Sequence, residues 1–465
     1  MNENYENIED NAKAFVERFD DMLKSKNQYF FDVYEFENII DYYLFKSDYK
    51  KAQKVVDYAL KMHPLAFSIM IKQAQLFIRL SQPIKALKLL KKLTKIESTN
   101  SNLFFLKGVV FCSLGDIKNA LNDFNHSLSV TYELKEDLLY NIAVALQEVG
   151  RYEFAVDYFL QAYKIDKEDI TVIYELAFCY EKLDKDNLSI NFYKEYLNKH
   201  PFSELAWFNI GTVYNKVEDY SLAIEAFDYA IAIDDEYALA YFNKAESLAF
   251  NEQFEESIEV FNEFLEISPD NAVAIFHIGE SYAKLKNNEK ALEFFDKAIE
   301  LDNKFADAYY AKSYILYENK NFLDALHSIK KAIKLDSEDD EYWYLSGLIN
   351  RELNFIEEAD KSFKNAIDLN YSDVQIWIEY SKLNFGTKHI YKTINILSEA
   401  FEYYKDNVEI NYRLAGYLAK IENFSSAAFH LKLALNIDFL RISIFREVYN
   451  KKNEMLENLI EQFNL

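Results

Sequence analysis

The side chains that could carry chemistry are 7 histidines, 2 cysteines and 77 carboxylates, and their spacing decides what they can do. His63, His126, His200, His277, His327, His389 and His430 never pair at the helical spacing that aims two imidazoles at one metal, and none has a cysteine nearby. No metal-ligand set is expected. Cys112 and Cys179 each fall on an apolar helical face, too far apart and too few for a disulfide scaffold, which suits a reducing compartment. A Gly-rich phosphate loop and a nucleophile elbow are both missing from the sequence. Acids such as Glu255, Glu256, Glu259 and Glu263 read as the solvated face of a helix. The expectation is therefore a chain without catalytic residues, metal or cofactor.

The side chains that do recur at fixed spacing are aromatic, small or basic, and helices position them. Half of the 465 residues are hydrophobic and only 4 are proline, so a large helical core is within reach. The start, "MNENYENIEDNAKAF", is acidic and lacks a basic n-region and an apolar h-region, and no later segment approaches the ~20 apolar residues of a membrane span. A cytoplasmic location is expected. Abundant Asn, Lys, Ile, Tyr and Phe suit an AT-rich bacterial genome.

Sliding the chain against itself at a period of 34 gives twelve repeats, beginning at Val33, Phe67, Ser101, Glu136, Ile170, Glu204, Ala238, Ala272, Ala306, Asp340, Val374 and Val408, with one extra residue in the third. The eighth column is small at all but its first position, as at Gly108, Gly211, Gly279 and Gly347; the twentieth, with Ala52, Ala223 and Ala291, is stricter. Small residues at both columns are expected where two helices cross closely. Pro64, Pro201 and Pro269 share the thirty-second column, Pro83 opens a second helix, and Gly115 and Gly150 share the fifteenth, where a left-handed residue ends a helix. Each repeat is a helical hairpin.

The pattern resembles the tetratricopeptide repeat, carried in full by Trp207, Ile210, Gly211, Tyr214, Ala223, Phe227 and Ala230. The resemblance covers residues 33–441 and implies an all-α, right-handed superhelix of helical hairpins, with first helices lining a concave groove and second helices forming the outer wall. Residues 1–32, with the amphipathic "AKAFVERFDDML", and residues 442–465 are expected to cap the two ends. Tyr196, Phe264 and Thr393 replace small residues, so repeats five, seven and eleven are expected to bend or loosen the stack.

The fifth column of the first helix is expected to face the groove, and it reads Phe105, Tyr140, Tyr174, Phe208, Phe242, Phe276, Tyr310, Tyr344, Ile378 and Tyr412. Two readings compete for these rings: gripping a partner segment, or packing on a neighbouring hairpin. The ninth column adds Phe178, Thr212, Glu246, Glu280, Tyr314 and Lys382, so the central groove reads as aromatic and acidic. That suits an apolar, basic protein segment across repeats six to nine. It does not suit a carboxylate clamp built from inward Lys, Asn and Arg, nor RNA read in the groove.

Charge is uneven. Residues 42–100 carry twelve Lys or Arg against three Asp or Glu, a net of +9 in a chain of -25. Lys51, Lys54, Lys61, Lys85, Lys88, Lys92 and Lys95 align on two successive second helices. They form either a solvated face, an attraction for the acidic residues 1–41, or a docking face for an anionic partner such as RNA, an acidic protein or anionic lipid. The sequence thus points to a non-catalytic scaffold or adaptor that binds a protein segment. Its alternatives are an RNA- or membrane-surface-associated factor docking through the basic patch and a peptide-sensing regulator.

Overall fold

The computed structural model describes residues 2–25, 29–131, 135–383 and 390–463, and all regular structure among them is helical. The chain forms two compact units, Met1–Asp219 and Tyr220–Leu465. Each is built from successive hairpins in which a first helix of 13 residues, such as Ala272–Lys284, is followed by a second of 14, such as Asn288–Leu301.

The turn inside the hairpin ends one helix and caps the next. Lys286 takes a left-handed φ of 59°, which lets its N–H reach the Ala283 carbonyl at 2.9 Å while the Asn287 N–H reaches Tyr282 at 2.9 Å. This pair of bonds satisfies carbonyls that a helix end leaves open. The Asn287 side chain then accepts from the Lys290 N–H and starts the second helix. The same column is left-handed in every described repeat, at Ser47, Ser81, Gly115, Gly150, Asp184, Glu218, Glu252, Lys286, Lys320, Asn354 and Glu422. Only two of these are glycine.

Close crossing follows from the small columns. Ser313 Oγ, in the eighth column, donates to the Ala325 carbonyl in the twentieth at 2.8 Å, and Ser257 in the twentieth donates to Ala245 in the eighth at 2.8 Å. A hydroxyl bridges side chain to backbone here only because the helices leave no room for more. The tryptophans fasten the entry to the first helix: Trp207 Nε1 donates to the Pro201 carbonyl at 2.9 Å and Trp343 Nε1 to Ser337 at 2.9 Å.

Departures are local. Phe264 is buried against Phe242, ring centres 5.3 Å apart, so the larger side chain is absorbed by an aromatic contact. Val374–Ser381 has 8 residues instead of 13. His389 and the extra residue of the third repeat's loop lie outside or beside the described segments. At the amino end, helix Asn2–Ser25 buries Ala12, Val16, Phe19 and Met22, with Phe19 edge-on to Phe31 and Phe36. At the other, helices Ser443–Val448 and Glu454–Glu461 are joined by Arg446, which donates to Glu457 at 2.6 Å.

Candidate functional site

The fifth-column rings are largely internal to their own hairpins. Each sits on the ring nineteen residues later, in the second helix: Phe105 on Phe124 at 6.0 Å, Tyr140 on Phe159 at 5.7 Å, Tyr174 on Tyr193 at 5.9 Å, Phe242 on Phe261 at 5.5 Å, Phe276 on Phe295 at 5.6 Å and Tyr344 on Phe363 at 6.3 Å. Tyr310, whose hairpin has Ile329 there, stacks instead on Tyr342 at 5.0 Å. Phe208 is half-buried. Two members are closed to a partner: Phe276 is buried, and Tyr412 is completely buried with its hydroxyl donating to the Asp438 carbonyl at 2.8 Å. Of the two readings of this column, packing holds for these rings within the hairpin, and the rings other than Phe276 and Tyr412 keep part of their surface exposed. For the six rings packed in this way one side closes the hairpin, and the neighbouring columns add to the surface they leave accessible.

In the second unit, helices Ala238–Phe250 and Ala272–Lys284 border a cleft of about 540 Å³. Its walls are Ala249, Phe250, Phe254 and Phe261, and its polar groups include Glu246, His277 and Glu280. The His277 ring stacks on Phe261, Nδ1 lies 2.8 Å from Glu280 and Nε2 lies 3.7 Å from Glu246. Burial raises the Glu246 carboxyl above the usual range; His277 opposes that shift and Glu280 adds to it. Apolar walls with two carboxylates suit a ligand that brings apolar surface and hydrogen-bond donors.

The first unit differs. A cleft of about 530 Å³ is walled by Phe45, Phe105, Val109 and Val144 and also holds Lys72 and Arg79. Lys72 pairs with Asp41 at 2.6 Å, whereas Arg79 has no ion-pair partner among the described residues. This part of the first-helix face therefore carries cations, because the basic segment contributes to first helices as well as to second ones.

Family comparison agrees with this repeating geometry. The tetratricopeptide-repeat model matches residues 136–169, 171–203, 208–272, 272–305, 306–339 and 340–373. This is a tetratricopeptide-repeat protein. Four of the matched spans begin at Glu136, Ala272, Ala306 and Asp340, where the 34-residue period starts a hairpin. No curated protein matches the chain. Similar solved structures include a tetratricopeptide-repeat protein from Parabacteroides merdae, 19% identical over 54% of this chain and 98% of that one, with a TM-score of 0.39. The C-terminal part of a repeat protein from Cytophaga hutchinsonii is 17% identical over 52% and 98%, at 0.42. YrrB, described as having an unusual peptide-binding site, is 18% identical over 40% and 95%, at 0.33.

As a tetratricopeptide-repeat protein, the chain is a protein-interaction scaffold in the general sense of that family. Its basic face is only partly as the alignment suggested. Lys54, Lys61, Lys85, Lys88, Lys92 and Lys95 are exposed and make no ion pair among the described residues. Lys51 is drawn elsewhere: its ammonium lies 3.4 Å from Asp20 on the N-terminal helix and 4.9 Å from the centre of the Tyr43 ring. It ties the acidic first helix to the first hairpin. Among the described residues, no three His, Cys, Asp or Glu side chains converge as a metal site, and none of the helices is long and apolar enough to cross a membrane.

The cleft residues that column reading passed over are His277, Phe250, Lys72 and Arg79. They occupy the sixth and thirteenth columns, one turn to either side of the ninth on the same helical face. Extending the apolar-plus-polar face by that turn in both directions is the signal that finds them.

Proposed function

We propose that this protein is a non-catalytic scaffold that holds a segment of a partner protein against the accessible faces of its first helices. The observation that carries the reading is the cleft of about 540 Å³ in which Glu246 and Glu280 stand over aromatic walls. A void of that size takes one or two side chains. Its chemistry favours an apolar segment with basic residues. Residues 33–441 then act as the repeat array, with 1–32 and 442–465 as its end covers, and the partner segment takes an extended path across successive first helices. Two free cysteines, Cys112 and Cys179, are compatible with a reducing, cytoplasmic setting; both are buried, which pushes their thiols up to about 11 and about 12. Such thiols are poor nucleophiles and poor disulfide formers.

Photo-cross-linking in the native cell tests this. A benzoyl-phenylalanine at Ala249, on the cleft wall, is expected to capture one defined partner segment, while the same group at Glu259, on the solvent face of a second helix, is not. Cross-links of the same partner at Glu259 and none at Ala249 would reject the cleft as the docking face.

A second reading rests on the six exposed lysines without ion partners on helices Tyr49–Met62 and Pro83–Ile96. They suit an anionic partner, with an RNA phosphate chain, an acidic protein or anionic lipid as the chemical classes.

A further inference from the structure

One hydroxyl in the first unit breaks an otherwise apolar column and opens onto a cleft. The twenty-fourth column of the repeat forms the floor under the first helices and reads Val56, Leu90, Phe124, Phe159, Tyr193, Phe227, Phe261, Phe295, Ile329, Phe363, Leu397 and Leu431. Eleven members are purely apolar and one carries an oxygen. Tyr193 is 3% exposed, and its hydroxyl has no hydrogen-bond partner among the described residues. The ring is buried, but its oxygen is open to the cleft beside it. Removing the oxygen would leave the phenylalanine that the neighbouring hairpins use, so packing does not require it.

The oxygen faces a cleft. Tyr193 lines a space of about 500 Å³ bordered by helices Ile170–Lys182 and Glu204–Lys216, with Tyr174, Phe178 and Leu205 as apolar walls and Glu175 and Glu181 as the charged groups. Phe178 and Leu205 are both 40% exposed, so the walls are open to an occupant. Glu175 accepts one bond from Gln147 Nε2 at 2.6 Å, and Glu181 is reached by Ser189 Oγ at 3.4 Å. Neither carboxylate has an ion pair among the described residues. The cations nearby are partly engaged: Lys216 pairs with Asp186 at 2.6 Å and donates to the Glu181 main-chain carbonyl at 2.6 Å, and Lys182 lies 5.2 Å from the Phe178 ring centre. Burial raises the Glu181 carboxyl above its usual range, with Lys216 and Ser189 opposing the shift in part. Burial first, and then the charges of Glu181 and Glu175, also hold the Tyr193 phenol in its protonated form.

Two half-buried carboxylates and a phenol oxygen, set over aromatic rings, offer more acceptor positions than Gln147 and Ser189 fill. An ammonium brings three donors and a guanidinium five, and either is attracted by ring faces as well as by the carboxylates. We propose that this cleft is the seat for a lysine or arginine side chain of the bound protein segment, with Tyr193 and Glu181 as its specificity-determining groups. The inference rests on the scaffold reading above and names the side chain that the first unit selects. Tyr174, Phe178 and Leu205 receive the aliphatic stem, and the cation reaches Glu175, Glu181 and the Tyr193 oxygen.

The test uses the full chain and fluorescein-labelled nonapeptides of Ala and Leu with one central Lys or Arg, beside acetyl-lysine and citrulline versions that keep the shape and lose the charge. Fluorescence polarisation is expected to show binding of at least one cationic peptide and roughly tenfold weaker binding of its neutral counterpart, since a hydrogen bond to a charged group is worth about that factor or more. Tyr193→Phe is expected to weaken the cationic peptide several-fold, and Glu181→Gln roughly tenfold, with both variants equally helical by circular dichroism. Equal affinity for charged and neutral peptides overturns the proposal. So does unchanged affinity in both variants, or no binding of either cationic peptide at millimolar concentration. The cross-linking at Ala249 is independent of these residues. A partner that still cross-links there while the peptide test fails leaves the scaffold reading standing and removes only the cation seat.

Discussion

A β-carbon added to Gly347 would lie 2.7 Å from Cε1 of Phe363, inside the distance that real side chains tolerate. Gly279 meets Phe295 in the same way, also at 2.7 Å from Cε1. The eighth column is thus small because it faces the backbone of the twentieth and the ring of the twenty-fourth together. The two helices of a hairpin close on each other through that contact, and the fifth-column ring completes it from the other side.

Replacing Gly347 with Ala should therefore cost about 1–3 kcal/mol, because the Phe363 ring is fully buried and has little room to withdraw. Gly115→Ala provides the contrast. Nothing lies within 4 Å of a β-carbon there, so only its φ of 77° opposes the change, and roughly 1 kcal/mol is expected. Long repeat arrays need not unfold in one step. The measurement is accordingly native-state hydrogen exchange, read by mass spectrometry on peptides from residues 340–369 and 101–130. Equal loss of protection at every hairpin would contradict a local clash.

Lys286 is a non-glycine residue held at φ 59°. A side chain in that conformation costs roughly 1–2 kcal/mol, while glycine gives back about 0.5–1 kcal/mol through the freedom of the unfolded chain. Lys286→Gly should then raise protection of residues 272–301 by up to about 1 kcal/mol, and the same change at Lys284, the last residue of the helix, should lower it by less than about 1 kcal/mol. Lower protection in Lys286→Gly would mean that the Lys286 side chain contributes more than its backbone strain removes.

Much of this architecture was legible in residue spacing. Small residues at two columns, prolines at repeat ends and a glycine pair at the fifteenth were enough to place the hairpins and their turn, because each reflects a constraint repeated at every period. The binding face was harder to read. Periodicity assigns a side chain to a face of its helix, but depth depends on what the next helix supplies. Tyr412 and Tyr174 share a column, yet the first is sealed by Asp438 and the second borders an open cleft. Lys51 aligned with its neighbours in sequence and was claimed by Asp20, thirty-one residues earlier. Contacts of that kind have no period.

The six exposed lysines yield a prediction that separates docking from mere solvation. Reversing Lys54, Lys88, Lys92 and Lys95 to Glu should abolish association with an anionic partner, leave helix content unchanged and leave cross-linking at Ala249 intact. Wild-type association should weaken steeply between low and physiological salt. Co-purification of the same partners by the reversed protein, in the same amounts and with no salt dependence, would reduce the patch to a solvated surface. Lys51 is left out of the set because it is already paired with Asp20 on the first helix.

The last prediction concerns His430, in helix Phe424–Ile437. Its ring packs between Phe401 and Phe429, at 4.7 Å and 5.0 Å, and burial lowers its pKa to about 4. The neutral tautomer is fixed by its neighbour. Asn411 donates its amide N–H groups to the Lys405 and Asn407 carbonyls, so its Oδ1 must accept, and His430 Nδ1 carries the proton that it accepts at 2.9 Å. An imidazole with an ordinary value near 6.5 in the unfolded chain binds a proton more readily there than in the folded one. Stability from this site is therefore complete above about pH 6.5, falls as pH drops towards 4, and levels off below that. The loss is about 3 kcal/mol at most. Hydrogen exchange of residues 408–437, compared at pH 7 and pH 4.5 after correction for intrinsic rates, should show it. His430→Gln keeps a donor and cannot titrate, so its pH-dependent loss in that hairpin should be smaller by a similar amount. A profile identical to that of the wild type would assign the acid sensitivity to other groups.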